Sequence, residues 1–200
     1  TKGWQDIHDS TSDVTGASYI SATGGSVSNS PCGDFKLHKY TGDSTFVVSA
    51  VGNAAGSNTI EYLVVAGGGG GGADGGAGGG AGGVRSNFPS PTSAGIPVTA
   101  PTTFPVTIGG GGAGATEPGK GTTGCNSVFA GTTTITSAGG GGGGGNPNTG
   151  LGGGSGGGGR KGPGNSGGAG NSPPVNPPQG EPGGTGAVPG NPPAYANTSG

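Results

Sequence analysis

The 200-residue chain has little of what builds most active sites. Charged residues make up 8% and aromatic residues 5%, with two cysteines, two histidines, one tryptophan and no methionine. The net charge of −2, with Arg160-Lys161 as the one adjacent basic pair, argues against nucleic-acid binding, which needs clustered Lys and Arg. No apolar run approaches the roughly 20 residues that span a bilayer, and no signal peptide is visible.

Catalysis has equally little support. The nine carboxylates are scattered without the pairing that acid–base chemistry needs. His38 is expected on a strand surface, and His8, between Asp6 and Asp9, in a solvated polar cluster rather than at a metal. Dinucleotide-type glycine spacings occur by chance in so glycine-rich a chain, without a following Lys-Ser or Lys-Thr. We expect no enzyme, no cofactor and no metal site.

The two cysteines leave two alternatives open. Cys32 and Cys125 lie far apart in the sequence, and a disulfide between them would join the two parts of the chain. The alternative is a pair of free, partly buried thiols. We favour free thiols, because a single pair does not make a disulfide framework.

What the chain has is glycine. There are 57 glycines and 17 prolines, and only eight of the glycines precede Gly67. The apolar run 62–66 stops and the tract 67–83 begins, interrupted only by Ala73, Asp74, Ala77 and Ala81. Because glycine loses the most freedom on ordering, this tract is either a disordered tether or a structure held by something other than side-chain packing.

Alternating patterns predict strands, and almost no helix anywhere. Predicted strands within a small antiparallel sheet or sandwich are 26–28, 35–40, 45–51 and 60–66. In 45–51, Phe46, Val48 and Ala50 share one face, whereas the continuous apolar run 60–66 predicts a strand covered on both faces. Further strands are predicted at 104–108 and within 126–137. Glycine follows a strand three times, after Ala66, Ile108 and Ala138.

These patterns divide the chain into three parts. Residues 1–18 are predicted to be a lead-in or attachment segment, 19–66 a small β domain, and 67–200 a glycine-rich domain. Since the chain has no methionine and starts at Thr1, we expect a processed product or a piece of a longer polypeptide.

The glycine tracts favour polyglycine-II geometry. Such a chain has three residues per turn, rises about 3.1 Å per residue and has no internal hydrogen bonds. Side by side, these helices can bond through their amides, with glycine wherever they touch and small or polar residues facing outward. We predict a bundle of them over 67–200 with Pro-rich loops, in which 67–83 would span about 50 Å. Collagen is excluded, because glycine is not at every third position.

Several segments, taken in order, resemble a known family. They are 22–25, 34–38, 61–66 with its glycine run, 104–110, and 126–129 with 135–136. They resemble the glycine-rich domain of bacteriophage tail fibre and other virion appendage proteins, over roughly residues 20–200. The glycine tracts also resemble the T-even-type tail fibre tip adhesins, whose bundled polyglycine-II helices carry variable loops that bind bacterial surface receptors.

The resemblance implies a structural virion protein, a fibre or fibre tip, involved in attachment to the host surface. Its implied partners are other fibre subunits, in a homo-oligomer such as a trimer, and a host glycan or outer-membrane protein. Exposed aromatic, amide and basic groups on rigid loops are the expected receptor contacts. The candidates are Arg85, Asn87, Phe88, Asn146, Asn148, Arg160, Lys161 and Tyr195. The alternative for Phe88 and Tyr195 is that they seal the ends of the bundle.

Two other functions remain open. One is a secreted or cell-surface protein that forms filaments, located outside the cell rather than on a virion. The other is an ice-binding polyglycine-II protein, since a flat bundle presents a regular surface. All three functions require the tract 67–83 to be ordered.

Overall fold

The computed structural model describes residues 16–30, 35–54, 56–88, 95–146 and 149–187. Within these ranges the chain forms short β-strands and no helix, which confirms the prediction of a mainly β protein. The strands are β1 (Ser21–Thr23), β2 (Ser26–Asn29), β3 (Lys36–Lys39), β4 (Ser44–Ala50), β5 (Thr59–Ile60), β6 (Leu63–Val65), β7 (Val84–Ser86), β8 (Ile96–Pro97), β9 (Thr102–Thr107), β10 (Ser127–Phe129) and β11 (Ile135–Ser137).

The largest element is a five-stranded antiparallel sheet in the order β1-β4-β9-β10-β11. It combines strands that precede Ala66 with strands that follow the first glycine tract. Its register places Phe46 opposite Phe104 and Phe129 opposite both Val106 and Ile135. Since opposite residues share a face, these side chains all lie on one side of the sheet. Three two-stranded antiparallel sheets, β2–β3, β5–β8 and β6–β7, complete the strand pairing.

That side of the sheet is the hydrophobic core. Phe46, Val48, Val98, Phe104 and Val106 are buried together. Fully burying a side chain of this size stabilises the fold by about 1.5–3 kcal/mol. The shared face predicted for Phe46 and Val48 is confirmed.

Partly buried side chains, among them Tyr40 and Phe129, pack against this core. The rings of Phe104 and Phe129 stack with centroids 5.2 Å apart. Ala50, predicted to share the face of Phe46 and Val48, is exposed at the end of β4. Tyr40 packs against the core, and its burial raises the pKa of the phenol above the ordinary value.

The predicted strand over 60–66 is wrong in two respects. The segment forms two short strands, β5 and β6, and the side chains of Leu63 and Val65 are 66% and 51% exposed. The physical reason is that β6 pairs only with β7, in a two-stranded sheet outside the central one. The strand predicted within 126–137 is likewise a hairpin, β10 and β11, with Ser127 opposite Ser137.

Between and after the strands, the chain makes extended stretches that are neither helix nor strand, which we call the glycine passes. They are 66–73, 77–83, 109–115, 119–125, 138–145, 149–153, 154–160, 165–171 and 181–187. Backbone N–H···O bonds join each pass to others, and the strands connect directly to several of them. The tract 67–83 is therefore tied into the fold along its length.

The bonds between passes follow a spacing of three residues. In the pass 66–73, one set of amides donates to the pass 77–83 and the next set to the pass 119–125. These bonds, 2.8–3.1 Å long, are Ala66–Gly83, Gly69–Gly80 and Gly72–Ala77, and Gly67–Cys125, Gly70–Thr122 and Ala73–Gly119. The amides of the third set, Gly68 and Gly71, donate no hydrogen bond within the described residues.

Other passes repeat this spacing. The pass 77–83 donates to the pass 138–145, and amides within 155–162 donate in two such series, one to residues 75–81 and one to residues 181–187. The first of these bonds are Ala77–Gly144, Gly80–Gly141 and Gly83–Ala138. The second are Ser155–Ala81, Gly158–Gly78 and Lys161–Gly75, and Gly156–Glu181, Gly159–Gly184 and Gly162–Ala187. Three amides in a row thus point toward different neighbours throughout this part of the molecule.

Contact between passes leaves no room for side chains at particular positions. A Cβ added to Gly70 would lie 2.0 Å from the carbonyl oxygen of Ala113, far inside any allowed contact. A Cβ on Gly68 or Gly71 would have its nearest neighbour 3.6 Å away, an ordinary contact. Glycine is thus required where passes touch, whereas Gly68 and Gly71 in the pass 66–73 are free of that requirement.

Buried polar side chains join the strands to the passes. The Gln179 side chain, 4% exposed, accepts the Ala138 N–H at Oε1 (2.8 Å) and donates from Nε2 to the Pro173 carbonyl (2.9 Å). Ser127 Oγ accepts the Gly109 N–H (2.9 Å), and Ser137 Oγ donates to the Gly83 carbonyl. The Ala138 and Gly109 N–H groups, which follow strands, thus find acceptors in side chains rather than in a neighbouring pass.

Candidate functional site: the distal loops

Several glycine passes leave the strands in the same direction. The passes 66–73, 109–115 and 138–145 follow β6, β9 and β11, and their mutual bonds show a parallel arrangement. Those bonds are Gly112–Gly68, Ala115–Gly71, Gly140–Gly67 and Gly143–Gly70, in which donor and acceptor numbers rise together. The pass 154–160 runs parallel to 138–145 in the same way. The ends of these passes therefore meet on the side away from the strands.

We call the turns at that end the distal loops. They are residues 73–76, 115–119, 145–146 and 160–165. The first is a reversal at Asp74-Gly75, where both residues have positive φ, 53° and 67°. This matches the central pair of a type I′ turn, for which Asp-Gly is a strong sequence signal. The prediction of one 50 Å run over 67–83 is therefore wrong, because the chain turns back halfway.

Asp74 gathers three of the predicted receptor-contact residues. Arg160 Nε donates to the Asp74 carbonyl (2.9 Å), and Arg160 Nη2 lies 3.3 Å from Asp74 Oδ2. Asn146 Nδ2 donates to the same Oδ2 (3.0 Å), and the Lys161 N–H donates to the Gly75 carbonyl (3.1 Å). Asn146, Arg160 and Lys161, far apart in sequence, thus meet around one turn. Asp74 itself was not predicted, although its Asp-Gly pair was a usable signal.

The electrostatics of this cluster are those of an exposed site. The Arg160 and Asp74 side chains are 28% and 47% exposed, so solvent screens their ion pair, which is worth at most about 1 kcal/mol. The Lys161 ammonium makes no ion pair within the described residues. The cluster can therefore hold loop shape and offer one free cation, but it has no arrangement for proton transfer.

Three other predicted contacts lie at the opposite end. Arg85 is in β7, and Asn87 and Phe88 follow it, beside the strands rather than the distal loops. Asn87 is 5% exposed; its Oδ1 accepts the Tyr62 N–H (2.6 Å), and its Nδ2 has no hydrogen-bond partner among the described residues. Phe88 is half-exposed and meets the Phe35 ring edge to face, centroids 5.6 Å apart. Of the three, Asn87 is buried and is not presented to a large ligand.

A family model described as a glycine-rich domain matches residues 41–200. The chain belongs to this glycine-rich domain family. The match starts in the turn before β4 and includes every glycine pass, while β1, β2 and β3 precede it. Neither a curated protein nor a solved structure matched the chain.

The remaining predictions for this glycine-rich domain protein concern single residues elsewhere in the chain. Asn148, Tyr195, Cys32 and the segment with His8 lie outside the described residues. Cys125 is a free, exposed thiol. His38, expected on a strand surface, is half-buried instead, with its ring against Phe46 (5.1 Å) and Nδ1 2.8 Å from the Gly24 carbonyl oxygen.

Within the described ranges, no group of three or more His, Cys, Asp and Glu side chains is placed to hold a metal ion. The same ranges contain no helix that is long and apolar enough to cross a membrane. The distal loops are thus the site that the described residues build most clearly.

Proposed function

We propose that the glycine passes are polyglycine-II helices packed in a bundle. The observation that carries this proposal is the three-residue spacing of the bonds between passes. A polyproline-II-type helix has three residues per turn, so residues three apart face the same neighbour. At about 3.1 Å per residue, the pass 66–73 would extend roughly 20 Å.

Such a bundle suits a mechanical role. The pass 66–73 is bonded to four others, 77–83, 109–115, 119–125 and 138–145. Ordering a residue costs about 1–2 kcal/mol, and each net hydrogen bond returns about 0.5–1.5 kcal/mol, so no single contact holds the bundle. Stability comes from many shared bonds and from the folded sheet at one end, which makes a stiff body able to hold loops away from its base.

We infer that the protein is a structural part of a virion appendage, a bacteriophage tail fibre or fibre tip, that takes part in host attachment without catalysis. The resemblance of the ordered sequence motifs to virion appendage domains supports this inference. So does the contrast between the two ends. Among the described residues, the large apolar side chains left exposed all lie between residues 19 and 88, near the strands. The distal loops carry Asp74, Arg160 and Lys161 instead.

In this proposal, the strand end faces the rest of the particle and the distal loops face the cell. The partners at the strand end are other fibre subunits, with a homo-oligomer such as a trimer as the assembly. The partner at the distal loops is a host-surface glycan or an outer-membrane protein. The proposed location is the virion.

The helix geometry is tested by amide hydrogen exchange on the purified chain. We expect slow exchange at Gly69, Gly70 and Gly72, whose amides are bonded, and fast exchange at Gly68 and Gly71, whose amides are not. A period of three in protection is therefore the expected result. Uniformly fast exchange across 67–83 would refute the bundle.

The virion role is tested by labelling with an antibody raised against the chain. We expect gold label at fibre ends of intact particles, at a fixed copy number. Label on filaments of unlimited length, without particles, would instead support a secreted or cell-surface protein that forms filaments. Thermal hysteresis of the purified protein would point to ice binding instead.

A further inference from the structure

A groove lies among the distal loops, beside the turn at 160–165. Its volume is about 330 Å³, within the range typical of small-molecule sites. Its lining residues are Pro163, Gly164, Asn165, Ser166, Thr185 and Gly186. Its two walls are bonded to each other, because the Gly186 N–H donates to the Asn165 carbonyl (2.8 Å) and the Gly162 N–H to the Ala187 carbonyl (3.1 Å).

The polar side-chain groups of this groove are available to bond a ligand. The Asn165 amide and the Ser166 and Thr185 hydroxyls make no hydrogen bond within the described residues. Each of them can both donate and accept. The Pro163 ring adds an apolar surface beside them. Three polar groups that can each donate and accept a hydrogen bond thus share one concave surface with an apolar ring.

Among the described residues that line the groove, none has a charged side chain. Arg160, whose carbonyl oxygen lies against Gly186, turns its guanidinium to the Asp74 carbonyl and carboxylate. An anionic ligand would therefore find no unpaired cation among the lining residues. A ligand that is neutral and rich in hydroxyl groups matches this surface better.

Gly164 leaves one side of the groove without a side chain. Gly164 has φ +77° and nothing within 4 Å of its would-be Cβ, so this part of the turn is open. A ligand can approach the backbone there without displacing a side chain.

We propose that this groove binds one neutral saccharide unit, with its hydroxyls bonded to Asn165, Ser166 and Thr185 and its C–H face on Pro163. The inference rests on the proposed function, in which the distal loops face a cell surface, and it names the chemical class that they contact there.

The test is a titration of the full 200-residue chain with the methyl pyranosides of glucose, galactose, mannose and N-acetylglucosamine, followed by NMR. We expect at least one to shift the Asn165 side-chain amide and the Ser166 and Thr185 backbone amides saturably. Thr185→Val should weaken that binding about fivefold, the loss of one hydrogen bond. Thr116→Val, on another distal loop, is the matched control and should bind normally.

Three results would overturn the proposal. The first is the absence of a shift at these residues with every pyranoside. The second is binding that Thr185→Val leaves unchanged. The third is inorganic phosphate shifting the same residues where the neutral sugars do not.

Cell adsorption separates this inference from the proposed function. Ser166→Trp fills the groove, and its exchange pattern across 67–83 shows whether it is folded. If the wild-type chain and a folded Ser166→Trp variant adsorb equally to bacteria, the groove inference fails while the attachment function stands. If the chain binds a pyranoside in the groove but adsorbs to no cells, the attachment function fails while the groove site stands.

Discussion

The sheet and the glycine passes hold together by opposite means. In the sheet, apolar side chains such as Phe46 and Phe104 fill one face and are removed from water. In the passes, cohesion comes from backbone amides, and the chains approach until a Cβ on Gly70 would lie 2.0 Å from a carbonyl oxygen. Burial of side chains stabilises the sheet. In the passes, close contact between backbones leaves no room for a side chain at the positions that touch.

This difference decides which substitutions each region tolerates. A hydrophobic core accepts exchanges that preserve volume and polarity. The passes accept small additions at Gly68 or Gly71, where a Cβ has room, and none at Gly70 or Gly72. Tolerance therefore follows burial in the sheet but follows position within a triplet in the pass 66–73.

The largest expected effect is in the sheet. Phe104→Ala removes a ring that is 2% exposed and stacked on Phe129, and should cost about 3–5 kcal/mol. Urea unfolding of the purified chain measures the loss. Phe88→Ala, at a ring 52% exposed, is the control and should change stability far less. Equal losses in the two variants would contradict the core assignment.

The next effect separates neighbouring glycines. Gly70→Ala forces a methyl group into the backbone of the pass 109–115 and should cost about 1–3 kcal/mol. Gly71→Ala should be neutral, or stabilising by about 0.4–1 kcal/mol, because alanine restricts the unfolded chain. Thermal unfolding followed by calorimetry compares them. Similar melting temperatures for both variants would show that the passes do not touch as described.

An effect of similar size concerns the junction of the two regions. Gln179→Ala leaves the buried Ala138 N–H without its acceptor and should cost about 1–3 kcal/mol. We also expect a broader calorimetric transition, since this side chain links the strand end to the passes. Thr103→Ala, at an exposed sheet position, serves as the control. An unchanged calorimetric transition in the Gln179→Ala variant would show that the sheet and the passes unfold as one unit without this side chain.

The smallest effect is at the distal loops. Arg160→Ala breaks an exposed ion pair and should cost at most about 1 kcal/mol, less at high salt. The measurement is the melting temperature in low and in molar salt. Lys161→Ala, which breaks no ion pair, is the matched control. A large loss that salt does not reduce would mean that the loop, rather than the passes, holds this end together.

Much of the β structure could be predicted, because its signals are local. The alternation in β4 placed Phe46 and Val48 on one buried face. The doubly covered strand over 60–66 failed, because apolar content does not reveal that β6 lies outside the central sheet, with Leu63 exposed.

The candidate site shows the same limit. Asn146 and the pair Arg160-Lys161 were predicted as exposed loop groups, but their meeting around the Asp74-Gly75 turn depends on the order in which the passes pack. That order is set by backbone hydrogen bonds between glycines. Because the glycines are identical, the sequence does not show which of them bond to each other. The burial of Asn87 arises from β6–β7 pairing and was equally invisible.

The three-residue spacing of the bonds has a consequence for how such a domain can change length. Inserting one or two residues in the pass 66–73 would turn its later amides away from their acceptors. Inserting three would keep them aligned, provided that its bonded neighbours grow too, and in the proposed polyglycine-II geometry it would lengthen the pass by about 9 Å. The turn 73–76 is constrained as well, because Asp74 and Gly75 have positive φ and a Cβ on Gly76 would lie 2.2 Å from the Gly72 carbonyl carbon. We therefore expect changes in the length of this pass to come in multiples of three residues.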